Sequence, residues 1–168
     1  MEYAMLRPAL AADAAAICAI YNPYVLESCI SFEETAVSHE QMALRIQTVL
    51  DAGLPWLVWE QQGKLSAYAY ATPWRTRPAY RHSVEISVYA ARESAGQGLG
   101  SALYQALFAQ LQQLGIHNVI AGIALPNPAS IALHEKMGMH QVARFSEVGQ
   151  KFGQWHDVGY WEKLLTRS

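Results

Sequence analysis

The stretch Glu93–Gln105, ESAGQGLGSALYQ, constrains this chain more than any other. Gly96, Gly98 and Gly100 fall within five residues, after the β-branched run HSVEISVYA. Leu99, Leu103, Ala106, Leu107 and Leu111 then recur at helical spacing. A strand, a tight glycine turn and a helix in that order present free N–H groups and a helix dipole to an anion. A glycine cluster alone also fits a plain turn; its flanking elements favour the anion. A dinucleotide fingerprint needs glycine or alanine at the sixth place, where Ser101 or Leu103 stands, and no Gly-Lys-Ser/Thr follows to make a P-loop.

Periodicity places the other elements. EYAMLR reads as a first strand ended by Pro8, and ADAAAICAIYNPYV as a helix broken by Pro23. Ser38 with Gln41 is a capping-box pattern that starts a helix near His39, and Gly53 stops it. Trp56–Glu60 and Lys64–Thr72 form a hairpin turning at Gln62-Gly63. His82–Ala90 is a strand, and IHNVIAGIAL is apolar enough for burial on both faces. Asn127 caps a short helix with Pro128 in its first turn and Gly138 after it. Met139–Leu165 reads as two strands, with Trp155 and Trp161 in the core. The order β-α-α-β-β-β-α-β-α-β-β implies a mixed α/β fold with one right-handed parallel crossover.

The 168 residues imply one domain spanning 1–168, and 52% hydrophobic against 15% charged residues excludes disorder. A net charge of −2 without a basic stripe argues against nucleic acid. Arg75, Arg77 and Arg81 form the densest basic group, either a solvated loop or an anion-binding one. Cys18 reads as a core residue, and with Cys29 as the other cysteine neither a disulfide scaffold nor metal spacing is expected. The N-terminus lacks a signal-peptide pattern, and no apolar run approaches a membrane span. The expected setting is cytoplasmic, with no membrane partner.

ISVYAARESAGQGLGSALYQAL resembles the acetyl-CoA-binding core of the GNAT N-acetyltransferase superfamily, Gln/Arg-x-x-Gly-x-Gly/Ala after a strand. Gly98 and Gly100 take the two small positions, while Ala95 stands where Gln or Arg is usual. NPASIALHEKMGM is similar to the family's second block, with Asn127, Ser130, His134 and Gly138 in register. SVEISVYA, TPWR and VGQKFGQWHDVGYW together resemble the phosphinothricin acetyltransferase group, which includes acetyltransferases of methionine sulfone and sulfoximine. The likeness covers essentially the whole chain. It implies the mixed, splayed-sheet GNAT fold flanked by helices, acetyl-CoA as co-substrate and a homodimer.

The resemblance also implies roles. Gly96, Gln97, Gly98, Leu99, Gly100 and Ser101 would cradle the coenzyme A pyrophosphate. The edge of Val88, Tyr89 and Ala90 would pair with the pantetheine arm, and the Val88 N–H would polarise the thioester carbonyl. Asn127 and Ser130 would contact the pantetheine end. Glu85, an acid inside an apolar strand, would be the general base; an outward, solvated glutamate is the plainer alternative. His134 would sit near the leaving sulfur or simply pack its helix. Arg75 beside Trp74 suits a substrate carboxylate, and Phe32, Glu33, Lys151 and Phe152 would complete the pocket or serve ordinary loop packing. His156 and Asp157 read as structural or interfacial.

The expected function is thus acetyl transfer to the α-amino group of a small amino acid or analogue. Two alternatives stay open: a GNAT enzyme for another amine (polyamine, aminoglycoside or protein N-terminus), and a non-catalytic acetyl-CoA sensor. A polyamine site would want more acids around the cleft, and a sensor would not need Glu85.

Overall fold

The computed structural model describes residues 3–165. Seven strands, β1 (Ala4–Pro8), β2 (Trp56–Gln61), β3 (Lys64–Pro73), β4 (Ser83–Ala90), β5 (Asn118–Ala124), β6 (His140–Lys151) and β7 (Gln154–Leu164), join in one sheet. Their order is β1-β2-β3-β4-β5-β7-β6. The helices are α1 (Ala14–Glu27), α2 (His39–Asp51), α3 (Leu99–Gln113) and α4 (Pro128–Lys136). This is the succession expected from periodicity. Glu2 of the expected first strand lies outside the described residues.

Side chains along the central strands sort by parity. Ala67, Ala69, Ala71, Val84 and Ile86 pack with Leu103, Leu107 and Leu111 of α3. Tyr68 packs on the opposite face with Ile17 and Val25 of α1 and Met42, Ile46 and Val49 of α2. Glu85, Ser87 and Tyr89 alternate with the α3-facing residues, so they share the α1/α2 face. The strand therefore accommodates an acid without burying it against α3.

Local chemistry sets the boundaries. The Ser38 side chain accepts from the Gln41 N–H at 3.1 Å and starts α2. Gln62 and Gly63 both have positive φ (54° and 73°), as do Phe152 and Gly153 (52° and 72°). Each pair makes the mirror-image turn whose twist suits a two-residue hairpin. The last hairpin also carries a bulge, where Asp157 Oδ1 accepts from the Glu147 N–H at 2.8 Å and Oδ2 from Arg144 Nε at 2.9 Å. Asp157 thus holds the hairpin bulge, while its sequence context left a structural and an interfacial role open.

Three expectations change. Pro23 does not break the first helix, which continues to Glu27. Proline removes one backbone bond, but Val25 beyond it is fully buried and anchors the last turn. Trp161 is core, whereas Trp155, near the tip of the last hairpin and beyond the cover of the helices, is 59% exposed. β5 is buried on its α3 face, but Gly122 on the other face is exposed.

Gly98 caps α3 in the left-handed region, with φ +77°, and an added Cβ would meet no atom within 4 Å. The cost of a side chain there is conformational. Gly98→Ala is expected to lower stability by about 1–2 kcal/mol, seen as a lower urea midpoint for the unliganded protein. An unchanged midpoint would contradict that backbone assignment.

Candidate active site

β4 and β5 pair in parallel only over Ser83–Asn118, Val84–Val119 and Glu85–Ile120. Beyond Glu85 they part, while β5 stays paired along its whole length with β7 on its other edge. β4 stays paired with β3 as far as Ala90. The Ala91 N–H bonds Ser66 O at 2.8 Å, and Ser83 O accepts from the Trp74 N–H at 3.2 Å, so odd-numbered residues face β3. Alternation then turns the N–H and C=O of Ile86, Val88 and Ala90 toward the gap. The Ala90 carbonyl accepts from the Tyr24 hydroxyl. Val88 presents its amide to the wedge between the strands.

A cavity of about 60 Å³ lies in that wedge, lined by Ser87, Val88, Tyr89, Tyr104, Gly122, Asn127, Ser130 and His134 among others. Asn127 caps α4, its Oδ1 accepting from the Ser130 N–H at 3.2 Å, so a ligand contact would fall to Nδ2. His134 is buried. Its Nδ1 lies 2.7 Å from Ser130 O, a pure acceptor, so Nδ1 carries the hydrogen. Burial lowers its pKa and keeps the ring neutral. Nε2 therefore accepts from the Tyr104 hydroxyl at 2.9 Å. Both ring nitrogens of His134 are engaged within the protein.

Beyond the end of β4, Ala95, Gly96, Gln97 and Gly98 form an exposed loop. The first-turn N–H groups of Leu99, Gly100 and Ser101 lack intrahelical partners and face this loop. Gly100 packs against Leu133 of α4, an added Cβ coming within 2.9 Å of Leu133 Cδ2. The exposed loop, the helix N-terminus and the free strand edge together suit a long, phosphate-ended ligand with amides along its arm.

Glu85 sits where the strands part. It is half-buried, and desolvation pushes its carboxyl above the ordinary glutamate range. Gly122 on β5 leaves room for it, since an added Cβ would lie 3.5 Å from Glu85 Oε1 and 3.1 Å from Tyr160 Cε1. The Tyr160 ring meets Trp74 edge-on at 5.9 Å, and the Arg75 guanidinium lies 5.2 Å above the Trp74 ring. Glu85, Tyr160, Trp74 and Arg75 thus share one end of the cleft, pairing a proton acceptor with an exposed cation.

The other expected substrate residues lie differently. Glu33 accepts from Arg45 Nη1 at 2.9 Å and Nη2 at 2.6 Å, and from the Tyr21 hydroxyl. Arg45 above all holds its carboxyl below the usual range. Lys151 is fully buried, its Nζ donating to Val25 O and Ser31 O at 2.6 Å each. Both charges are spent on holding the α1–α2 loop, so the fold does not bring Lys151 to the cleft as a ligand contact. Phe32 packs over Gly149 and 6.1 Å from His156, while Phe152 is 62% exposed at the hairpin turn.

Tyr104 and Tyr160 escaped the sequence reading. Tyr104 sits in an apolar helical stripe and looks like plain core. Tyr160 joins the site only through the pairing of Gly122 with Tyr160 across β5 and β7, a long-range register that local pattern does not reveal.

Among the described residues no group of three His, Cys, Asp or Glu side chains could hold a metal ion. No helix there is long and apolar enough to cross a membrane.

Known proteins place this geometry. A phosphinothricin N-acetyltransferase from Alcaligenes faecalis is 44% identical over 155 residues, 92% of this chain and 79% of that protein. An L-methionine sulfoximine/L-methionine sulfone acetyltransferase from Salmonella typhimurium is 35% identical, covering 92% and 90%. The crystal structure of a phosphinothricin acetyltransferase from Sinorhizobium meliloti in complex with AcCoA superposes with a TM-score of 0.92 at 39% identity, covering 96% of this chain and 88% of that one. Residues 6–159 match the family described as acetyltransferase (GNAT) domain, and the chain belongs to that family.

Proposed function

We propose that the chain, as one domain over residues 1–168, moves an acetyl group from acetyl-CoA to the α-amino group of a small amino acid or analogue. The phosphinothricin, methionine sulfone and methionine sulfoximine types are the candidate class, supported by the names of its relatives. The observation that carries this reading is Glu85, a half-buried carboxylate where β4 and β5 part, at the same end of the cleft as Tyr160, Trp74 and Arg75.

Acetyl-CoA supplies an acetyl group already activated as a thioester. The loop from Gly96 to Ser101 holds the pyrophosphate on backbone N–H groups. The edge from Val88 to Ala90 aligns the pantetheine arm, and the Val88 N–H polarises the thioester carbonyl. Asn127 Nδ2 and Ser130 line the same arm. Glu85 takes a proton from the substrate ammonium, directly or through water, and frees the amine to attack the carbonyl carbon. Arg75 receives the substrate carboxylate. His134 works through Tyr104: the neutral ring holds that hydroxyl in the wedge wall, near where the sulfur would depart as thiolate. Lys151 and Glu33 position the loop that carries Phe32, and Phe152 stands at the turn of the hairpin behind that loop.

A cytoplasmic homodimer fits this reading. Val142, Phe145, Val148, Phe152 and Trp155 are exposed on the β6–β7 hairpin, Phe145 on its Tyr160 face and Trp155 on its Trp161 face, and a second copy clasping the hairpin would cover them. Sedimentation is expected to give a dimer, and Val148→Asp is expected to weaken it by about tenfold or more, because an unpaired charge would enter the interface. A monomeric wild type would contradict this part.

The pH dependence has a definite sign. Only ionised Glu85 accepts a proton, so kcat/KM should rise with pH through its pKa, at a midpoint above the ordinary glutamate range. Glu85→Gln is expected to abolish that limb and to lower kcat by roughly 10²–10⁴-fold, read by thiol release at saturating acetyl-CoA. Unchanged turnover across the pH range would remove Glu85 from the mechanism. Activity on polyamines but on no amino acid or sulfone or phosphinate analogue would overturn the substrate class.

A further inference from the structure

No described residue donates a hydrogen bond to Glu85, and desolvation is the one cause of its raised pKa. The next residue on the same face of β4 is Ser87. Ser87 lies opposite Tyr70 in the β3–β4 register, and the two hydroxyls are hydrogen-bonded. The Tyr70 ring is itself fixed, stacked on Trp56 at 4.1 Å with planes 13° apart. A serine held in this way keeps its hydroxyl at a set point on the strand.

That point lies between the base and the wedge. Ser87 lines the wedge cavity with Val88, Gly122 and Asn127, whereas Glu85 and the residue opposed to it, Thr72, do not. A rise of about 3.3 Å per residue puts Ser87 about 7 Å and Val88 about 10 Å from Glu85 along β4. A thioester carbonyl bonded to the Val88 N–H is therefore too far along the strand for the carboxylate to touch it.

The attacking nitrogen must lie about 3–3.5 Å from the carbonyl carbon. Between that nitrogen and the carboxylate remains the span of one water, bonded at about 2.8 Å on each side. A water fixed in a polar site takes about two to four hydrogen bonds. The nitrogen, Glu85 and Ser87 Oγ supply such a set.

We propose that Ser87 is a positioning residue, holding the water through which Glu85 deprotonates the acceptor amine. The inference rests on Glu85 as the base and on Val88 as the partner of the thioester. The water accepts a proton from the ammonium and passes one of its own to Glu85, so it is regenerated. The freed lone pair forms the N–C bond and the C–S bond breaks. The departing thiolate takes the second proton, which the nitrogen sheds as it becomes an amide.

A double-mutant cycle tests this, read by thiol release with methionine sulfone as acceptor. Ser87→Ala is expected to lower kcat by about tenfold to a hundredfold, part of the range of general-base catalysis, with both KM values held within about twofold. Ser87→Thr keeps the hydroxyl and should recover most of that loss. Residues of one relay are not additive, so Ser87→Ala added to Glu85→Gln should cost less than about twofold more. The Ser87→Ala loss should also shrink as pH rises and the free amine becomes abundant. Unchanged thermal midpoints would certify folding. Full kcat in Ser87→Ala, a loss confined to KM for the amino acid, or equal losses with and without Glu85 would overturn Ser87 as the holder of the water, leaving the base in place. Unchanged turnover in Glu85→Gln would instead overturn the base, and this inference with it.

Discussion

The parting of β4 and β5 after Glu85 is the constraint on which the rest of the site depends. Three parallel residue pairs hold the strands together, and then β5 commits its other edge to β7 along seven pairs. A buried strand edge with unused N–H and C=O groups is costly unless something pairs with it. In the proposed function that deficit serves as the binding surface, with Val88 facing the wedge and the glycine loop at its far end. The same divergence leaves Glu85 half-desolvated beside Gly122, which raises its pKa without a neighbouring like charge as the main cause. One topological fact thus provides both the free strand edge and the half-desolvated carboxylate on which the proposed mechanism rests.

Around that wedge, buried polar groups are organised to hold loops. Lys151 on β6 bonds carbonyls at the end of α1 and in the following loop, at Val25 and Ser31. Glu33 ties the same loop to α2 through Arg45 and to α1 through Tyr21. An ammonium removed from water is tolerated when its protons are bonded, and this one joins three elements that border the cleft.

Much of this was legible in local sequence. Glu85 stood out as an acid inside the apolar strand SVEISVY, and Ser38, Gly98 and Asn127 marked helix starts through capping chemistry and backbone freedom. The resemblance then assigned the loop to coenzyme A. What local pattern could not reveal was register and partnership. Lys151 looked like a substrate contact because charge usually seeks solvent or ligand, yet two carbonyls distant in sequence claim it. Trp155 looked like core because tryptophan usually is, yet it stands near the hairpin tip. Tyr160 enters the site only because β5 pairs antiparallel with β7.

The central claim is that the wedge edge and the glycine loop hold acetyl-CoA together. Amide hydrogen exchange, resolved by residue and measured with and without acetyl-CoA, tests it most directly. The account predicts slowed exchange at the amides of Val88 and Ala90 and of Gly96 through Ser101, with amides of β1 and β2 unaffected. Protection confined to other elements, with Val88 and the loop exchanging as freely as before, would contradict it.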